Sequence, residues 1–407
     1  MTIREYLKEK TALLARAGID DAESEAFLCF EDSSGMPRAQ IRLSLEKALA
    51  DCFPADVISK IDDCFLRRAE HEPLAYIVRK APFFDLEFAV GPGVLIPRFD
   101  TEILVETALG CLGFEQMLPG SPKLPIVCST SAEKSCNTVT RPDISAFALS
   151  GAQQVYIEEP IPKRPLMILD LCTGSGCVGI TIAHELQKKG IAFGLTMTDI
   201  SEEAAAYAEE NAKRILGGKE VSEFYPTAPD GVYMTSNKSL WQVVVTDLWP
   251  KAAAADSAET EAESVDEEKY DLIVSNPPYV TKEEMAELMP EVKEHEPALA
   301  LTDGGDGLLI YRRIAEGLKD YLAPGGVIAV EHGCEQGEAV RNILSVALEK
   351  ADAETPGEDR TKVGTGAITI KDYGDNDRVT CGGYLPAIGK NEEDEAASLA
   401  DEVENER

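Results

Sequence analysis

The residues best suited to chemistry are Asn276-Pro277-Pro278-Tyr279, which close the apolar run Asp271-Leu272-Ile273-Val274-Ser275. Two consecutive prolines fix φ, lack N–H donors and push the preceding residue into extended geometry, so regular structure must stop at Asn276. In an open α/β sheet, ligands bind beyond the carboxyl ends of the strands. The Asn276 side chain and the Pro277 carbonyl would then face a cleft as two hydrogen-bond acceptors, with the Tyr279 ring as a flat surface for stacking. Two acceptors and a ring suit a planar, conjugated –NH2 group. The plainer alternative is a proline-rich turn that closes a core strand.

A cofactor turn stands upstream. Leu166-Met167-Ile168-Leu169-Asp170-Leu171 is a continuous apolar run suited to a buried parallel strand. It runs into Cys172-Thr173-Gly174-Ser175-Gly176-Cys177 and an apolar helix from Val178 to about Lys189. Strand, glycine loop and helix let a backbone approach a ligand closely and offer free N–H groups at the helix start. The loop is too short for a P-loop, lacks its lysine, and is not the dinucleotide Gly-x-Gly-x-x-Gly. A second strand, Phe193 to Thr198, ends in Asp199, where an acid can accept ribose hydroxyls or cap the following helix. A third, Trp241 to Thr246, ends in Asp247-Leu248, which brings another acid to the same edge, within reach of an adenine amine. No metal-ligand cluster is visible, and His332 reads as a satisfied strand-end histidine.

These positions need a frame, and the rest of the chain supplies one. Residues 1 to about 80 carry apolar side chains at helical spacing, as in Tyr6, Leu7, Leu13 and Leu14. Phe83 to Val90 alternates like a hairpin strand turned by Gly91-Pro92-Gly93, and Leu95-Ile96-Pro97-Arg98 leads to a helix that Asp100 or Thr101 would cap. Further elements are a helix from Thr281 to Met289, a helix from Leu308 to Leu322, the strand Val327 to Glu331, a helix from Glu335 to about Lys350, and a closing hairpin from Ala367 to Tyr384.

Composition narrows the class. The formal charge of −34 and pI near 4.5 argue against a protein that clings to phosphate backbones, which takes a basic footprint. No run approaches the ~18–20 apolar residues of a membrane span, and Met1-Thr2-Ile3-Arg4-Glu5 leads into a charged amphipathic segment, so a cytoplasmic location is expected. Ten cysteines without a Cys-x-x-Cys pair fit reduced thiols.

Several motifs taken together resemble the release-factor glutamine N5-methyltransferases, the HemK/PrmC family: Pro73-Leu-Ala-Tyr-Ile77, Leu95-Ile-Pro-Arg98 followed by Asp100-Thr101-Glu102, Asp170-Leu-Cys-Thr-Gly-Ser-Gly176, Ser275-Asn-Pro-Pro-Tyr279, Glu331-His-Gly333 and Asp372-Tyr-Gly-Asp-Asn-Asp-Arg-Val379. Asn-Pro-Pro-Tyr is shared with DNA-adenine methyltransferases, whereas Leu-Ile-Pro-Arg and the Asp-Tyr-Gly segment are narrower signals. Cys172 stands where a general methyltransferase loop has its first Gly, and Phe99 where a Pro often follows Pro-Arg.

The resemblance implies an α/β, Rossmann-like, seven-stranded class I domain with its last strand antiparallel, and a small helical N-terminal domain. It also implies S-adenosylmethionine as donor and, as acceptor, the glutamine amide nitrogen in the Gly-Gly-Gln loop of class 1 peptide chain release factors. By the same resemblance Cys172, Thr173, Gly174, Ser175, Gly176, Asp199, Asp247 and Leu248, with Asn276, would line the cofactor. Asn276, Pro277, Pro278 and Tyr279, with Arg98 nearby, would hold the substrate, and Asn276, Pro277 and Tyr279 would carry catalysis. The expected division is a helical substrate-recognition domain over 1–82, a hairpin and connecting helix over 83–118, and a flexible insertion over 119–165. A methyltransferase domain over 166–387, interrupted by an acidic insertion at 251–269, and an acidic tail over 388–407 would complete the chain. Amino-methylation of nucleic acid, a ribosomal-protein glutamine as acceptor and non-catalytic cofactor binding are the alternatives. The acidic charge weighs against the first, and intact Asn276, Pro277 and Tyr279 weigh against the last.

Overall fold

The computed structural model describes residues 1–113, 138–139, 165–223, 230–250, 269–354 and 364–385. The insertion expected at 119–165, apart from Thr138–Val139 and Pro165, most of the acidic insertion at 251–269 and the tail at 388–407 lie outside the described residues.

Six helices open the chain: α1 (Ile3–Arg16), α2 (Ala22–Ser34), α3 (Arg38–Leu43), α4 (Leu49–Cys52), α5 (Ala55–Ala69) and α6 (Leu74–Val78). Thr2 and Glu5 form a reciprocal capping box at the start of α1. Tyr6 packs edge-on against Phe30 and Phe65, so the amphipathic faces of α1, α2 and α5 close one core.

The hairpin β1 (Lys80–Phe83) and β2 (Leu86–Ala89) follows, with Lys80 opposite Ala89. It corrects the expectation that Gly91-Pro92-Gly93 forms the turn. Phe84 and Asp85 turn the chain, with Phe84 at φ 55 and its N–H donated to Glu102. A phenylalanine carries no turn signal, so only the distant carboxylate explains its conformation. A single turn of 3-10 helix at Phe99–Thr101 then leads into α7 (Glu102–Cys111). Neither Asp100 nor Thr101 caps α7: no side chain bonds the helix start, because Thr101 is engaged by Asn276 and Asp100 by Arg378.

The large domain is a twisted sheet with helices on both faces. Its elements are β3 (Thr138–Val139), β4 (Leu166–Leu171), α8 (Cys177–Lys188), β5 (Phe193–Asp199), α9 (Glu202–Ile215), β6 (Lys219–Glu220), β7 (Val232–Met234), β8 (Leu240–Val245) and β9 (Tyr270–Ser275). After them come α10 (Pro290–His295), α11 (Ala298–Leu301), α12 (Leu309–Tyr321), β10 (Leu322–Glu331), α13 (Gly337–Glu354), β11 (Gly364–Lys371) and β12 (Asp377–Leu385). The order is β3-β11-β12-β10-β9-β4-β5-β8-β7-β6. Its seven long strands run from β11 to β8, and β12 is antiparallel to both neighbours, β10 and β11. This is the class I methyltransferase topology, with short strands added at both edges.

Strand alternation sorts the core into two layers. Ile168, Leu272, Val274, Val327 and Ala329 face α7 and α8, whereas Leu169, Leu171, Ile273, Ile328 and Val330 face α12 and α13. The helix expected over Thr281 to Met289 is only a 3-10 turn at Glu284–Ala286. Met289 precedes a proline and is held extended at ψ 147, and Pro290 opens α10.

Candidate active site

β4 and β9 are parallel neighbours, with Leu171 opposite Ser275. The glycine loop after β4 and the Asn276-Pro-Pro-Tyr tip after β9 therefore leave the same sheet edge side by side, where chain direction reverses across the sheet and a crevice opens. A cavity of about 350 Å³ occupies the crevice, within the usual range of small-molecule sites.

Its walls include Cys172, Thr173, Gly174, Ser175, Asp199, Asp247, Leu248, Asn276, Pro278 and Arg98. Gly176, Pro277 and Tyr279 do not line it. Gly176, at φ 81, starts α8, where an added Cβ would strike the Ile180 side chain at 2.5 Å. Pro277 is buried, and Tyr279 turns its phenol away to donate to Glu331 at 3.2 Å. The stacking surface expected of Tyr279 stands beside the cavity rather than in its wall.

The glycine loop is held from below. Asp170, 1% exposed, accepts from the Thr173 hydroxyl at 2.6 Å and from Gly179 N–H at 3.0 Å. Burial raises its pKa to about 7, although both donors pull the other way. Asp199 accepts from Gly174 N–H and from Ser201 N–H, each at 2.9 Å. The cap of α9 is Ser201 rather than Asp199. Each Asp199 oxygen keeps a second lone pair, so the carboxylate can still accept hydroxyls. Ser175, 2% exposed, has a hydroxyl without a partner among the described residues, on the cavity wall. Asp247 pairs with Arg313 at 3.0 Å at the outer edge.

The roof comes from the segment after the tip. Pro297, Leu299 and Ala300 line the cavity. Glu296, 6% exposed, accepts from Ile96 N–H at 3.1 Å and from the Arg98 guanidinium. Arg98 is therefore a cavity residue bound to a carboxylate of the roof. One turn earlier, Glu291 accepts from Arg68 at 3.2 Å and lies 3.2 Å from His71 Nδ1, which ties the roof to the helical domain.

Asn276 donates through Nδ2 to Thr101 Oγ1 at 3.1 Å, which leaves Oδ1 as the acceptor on its other side. His332 is fully buried, with Nδ1 2.9 Å from Gly333 O and Nε2 2.9 Å from Thr380 Oγ1. Burial lowers its pKa to about 4, so it is neutral and structural. The eight described cysteines are free thiols, of which Cys172 and Cys177 line the cavity.

The PrmC N-terminal domain profile matches residues 5–78, the helical domain described above. The release factor glutamine methyltransferase of Fusobacterium nucleatum is 30% identical over 377 residues, covering 92% of this chain and 75% of that protein. The chain belongs to the release factor glutamine methyltransferase family. The Bacillus subtilis release factor glutamine methyltransferase is 28% identical over 364 residues, 88% of this chain and 96% of its own length. The bifunctional methyltransferase of Rickettsia conorii is 28% identical over 345 residues, 84% of this chain but 53% of its own. This chain thus spans about half the length of the Rickettsia proteins it matches. In this member of the release factor glutamine methyltransferase family, Thr101, Asp170, Glu296 and Glu331 stand at the candidate site without having been given a site role from sequence. Thr101, Asp170 and Glu331 lie within the motifs quoted above, whereas Glu296 carried no local signal.

Proposed function

We propose that the chain transfers a methyl group from S-adenosylmethionine to the side-chain amide nitrogen of the glutamine in the Gly-Gly-Gln loop of class 1 release factors. One observation carries this reading: the glycine loop and Asn276 line a single cavity, with the free oxygen of Asn276 available to an incoming amide.

The walls fit the donor in kind. A carboxylate for the ribose at Asp199, small residues at Gly174 and Ser175, an unpartnered hydroxyl on Ser175 and apolar cover from Leu248 and Leu299 suit a charged nucleoside of this size. When bound, S-adenosylmethionine supplies an electrophilic methyl carbon on a positively charged sulfur. The residues for its site are Cys172, Thr173, Gly174, Ser175, Gly176, Asp199, Asp247, Leu248 and Asn276.

An amide nitrogen is a weak nucleophile, since its lone pair is delocalised enough to give a rotation barrier of ~18–20 kcal/mol. Geometry must compensate. Asn276 Oδ1, on the cavity wall, accepts one N–H group, while the Pro277 carbonyl and the Tyr279 ring, which stand beside the cavity rather than in its wall, take the second N–H and brace the amide plane of a glutamine that enters from that side. Together they hold the nitrogen in one orientation, and positioning of that kind can supply on the order of 7–11 kcal/mol. As the new C–N bond forms and the C–S bond breaks, the nitrogen sheds one proton to solvent. Pro278 closes the tip, and Arg98 holds the roof through Glu296. The helical domain, tied to the roof through Glu291, is the expected docking unit for the release factor.

Co-expression with a class 1 release factor tests the proposal. Mass spectrometry should find one added methyl on the Gly-Gly-Gln glutamine, absent with Asn276→Ala. An unmodified loop alongside labelled DNA or labelled ribosomal protein would overturn it.

A further inference from the structure

The 3-10 turn at Phe99–Thr101 separates the cavity from solvent. Arg98 and Thr101 line the cavity, and Thr101 holds Asn276, whereas Phe99 and Asp100 between them are exposed and do not line it. Phe99 is 73% exposed. One apolar ring in water is ordinary, but two held at the mouth of one site mark a contact surface.

The second ring is Tyr373. Arg378 pairs with Asp100 at 3.3 Å and with Asp372 at 3.0 Å, which fastens the turn of the closing hairpin to the 3-10 turn. Tyr373, next in the chain to Asp372, is 64% exposed, and its hydroxyl donates to Glu106 of α7 at 2.8 Å. The phenol is tethered while the ring stays in water. Arg378 is one cation shared by two carboxylates, so this ion bridge keeps a negative charge beside both rings.

We propose that Phe99 and Tyr373, with Asp100, form the docking surface for a basic stretch of the release factor that flanks its Gly-Gly-Gln. The proposal rests on the reading that the release factor glutamine is the methyl acceptor. It assigns these residues to substrate affinity and leaves the transfer step to Asn276 and its neighbours.

The substrate itself calls for such a surface. Two glycines carry no side chain, so a Gly-Gly-Gln tip offers only its glutamine to be gripped. A grip on one amide cannot tell this loop from any other accessible glutamine. Affinity and discrimination must come from the flanking residues, which cross the rim at Arg98 to Thr101 when the glutamine enters beside Asn276. Exposed aromatic faces next to carboxylates suit arginine or lysine, whose cation stacks on the ring and pairs with the acid. The net charge of −34 attracts the same kind of partner.

The test is steady-state kinetics with the full-length protein, S-adenosylmethionine and a class 1 release factor, in its natural form and with the lysines and arginines flanking Gly-Gly-Gln replaced by glutamine. Arg98 is already extended at φ −106 and ψ 145, the geometry a following proline requires, so Phe99→Pro removes the ring and keeps the turn. Phe99→Pro and Tyr373→Ala should each raise KM for the natural release factor by roughly three- to thirtyfold, the span from an exposed to a desolvated cation–π contact. Both should keep wild-type kcat and calorimetric S-adenosylmethionine affinity. Phe99→Trp, which keeps a ring, should restore KM. Against the neutralised release factor the wild type should show the raised KM itself, and the two variants should add little to it. Should Tyr373→Ala lose cofactor binding by misfolding, Phe99→Pro and Phe99→Trp decide alone. Wild-type KM in Phe99→Pro, a fall in kcat in place of the rise in KM, or an equal rise against the neutralised release factor would overturn the docking surface. A wild-type protein that leaves the release factor unmethylated would sink the underlying reading instead.

Discussion

Asn276 and Thr101 are 175 positions apart in the chain, yet the Asn276 amide donates to the Thr101 hydroxyl at 3.1 Å. The contact joins the strand-end tip to the connector between the two domains and, under the proposed function, sets which end of the amide would meet the substrate. Asn276→Ala and Asn276→Asp should both lower turnover by roughly a hundredfold or more, as removal of one preorganised hydrogen-bonding group does. The alanine variant lacks the acceptor, and the aspartate variant lacks the donor that orients it. Steady-state kinetics with a release factor would read this, and activity within a few-fold of wild type would contradict it.

Asp170 anchors the glycine loop through Thr173 and Gly179. Its pKa is raised from 3.8 to about 7 by burial. The folded state therefore holds a proton that the unfolded state has released across that window, and stability falls as pH rises through it. Glu331 acts with the same sign. Asp170→Asn should flatten the decline of Tm between those values while weakening S-adenosylmethionine binding, since an amide cannot accept both donors on one oxygen as well as an anion does. Calorimetric unfolding across the window checks the slope.

His332 acts in the opposite direction. Burial lowers its pKa from 6.5 to about 4, so the unfolded chain takes up a proton first and stability is lost as pH falls through that interval. In His332→Gln that part of the acid loss should vanish, even if Tm near neutrality is lower because the contact with Thr380 is disturbed. Tm plotted against pH would separate slope from offset.

Glu291 joins the roof of the cavity to Arg68 and His71 of the helical domain. Glu291→Ala should raise KM for the release factor with little change in S-adenosylmethionine affinity, because the residue does not line the cavity. The stability cost should be on the order of 1 kcal/mol, a Tm fall of roughly 2–4 °C, since Arg68 keeps Glu25. An equal change in both substrates would show that the tie serves only the roof.

The parallel strands were legible because each is an apolar run long enough to be buried on both faces, ending in a residue that cannot continue it: Cys172 with a glycine loop behind it, Asp199, and Asn276 before two prolines. Local features that depend on a distant partner were not legible. Phe84 turns the hairpin because Glu102 holds its N–H. Thr101 reads as a helix cap and instead holds Asn276. Glu331 reads as the last residue of a buried strand and instead accepts from a phenol.

The sequence by itself determined the strand–loop–helix cofactor turn, the Asn-Pro-Pro-Tyr tip and their order along the chain, since proline geometry, glycine freedom and apolar runs act within a few residues. Only the tertiary structure decided that β4 and β9 lie side by side so that both ends open on one cavity, and that Thr101, Glu296 and Glu331 stand around it. Hydrogen bonds between residues far apart in the chain depend on which strands pair, and no local pattern records that pairing.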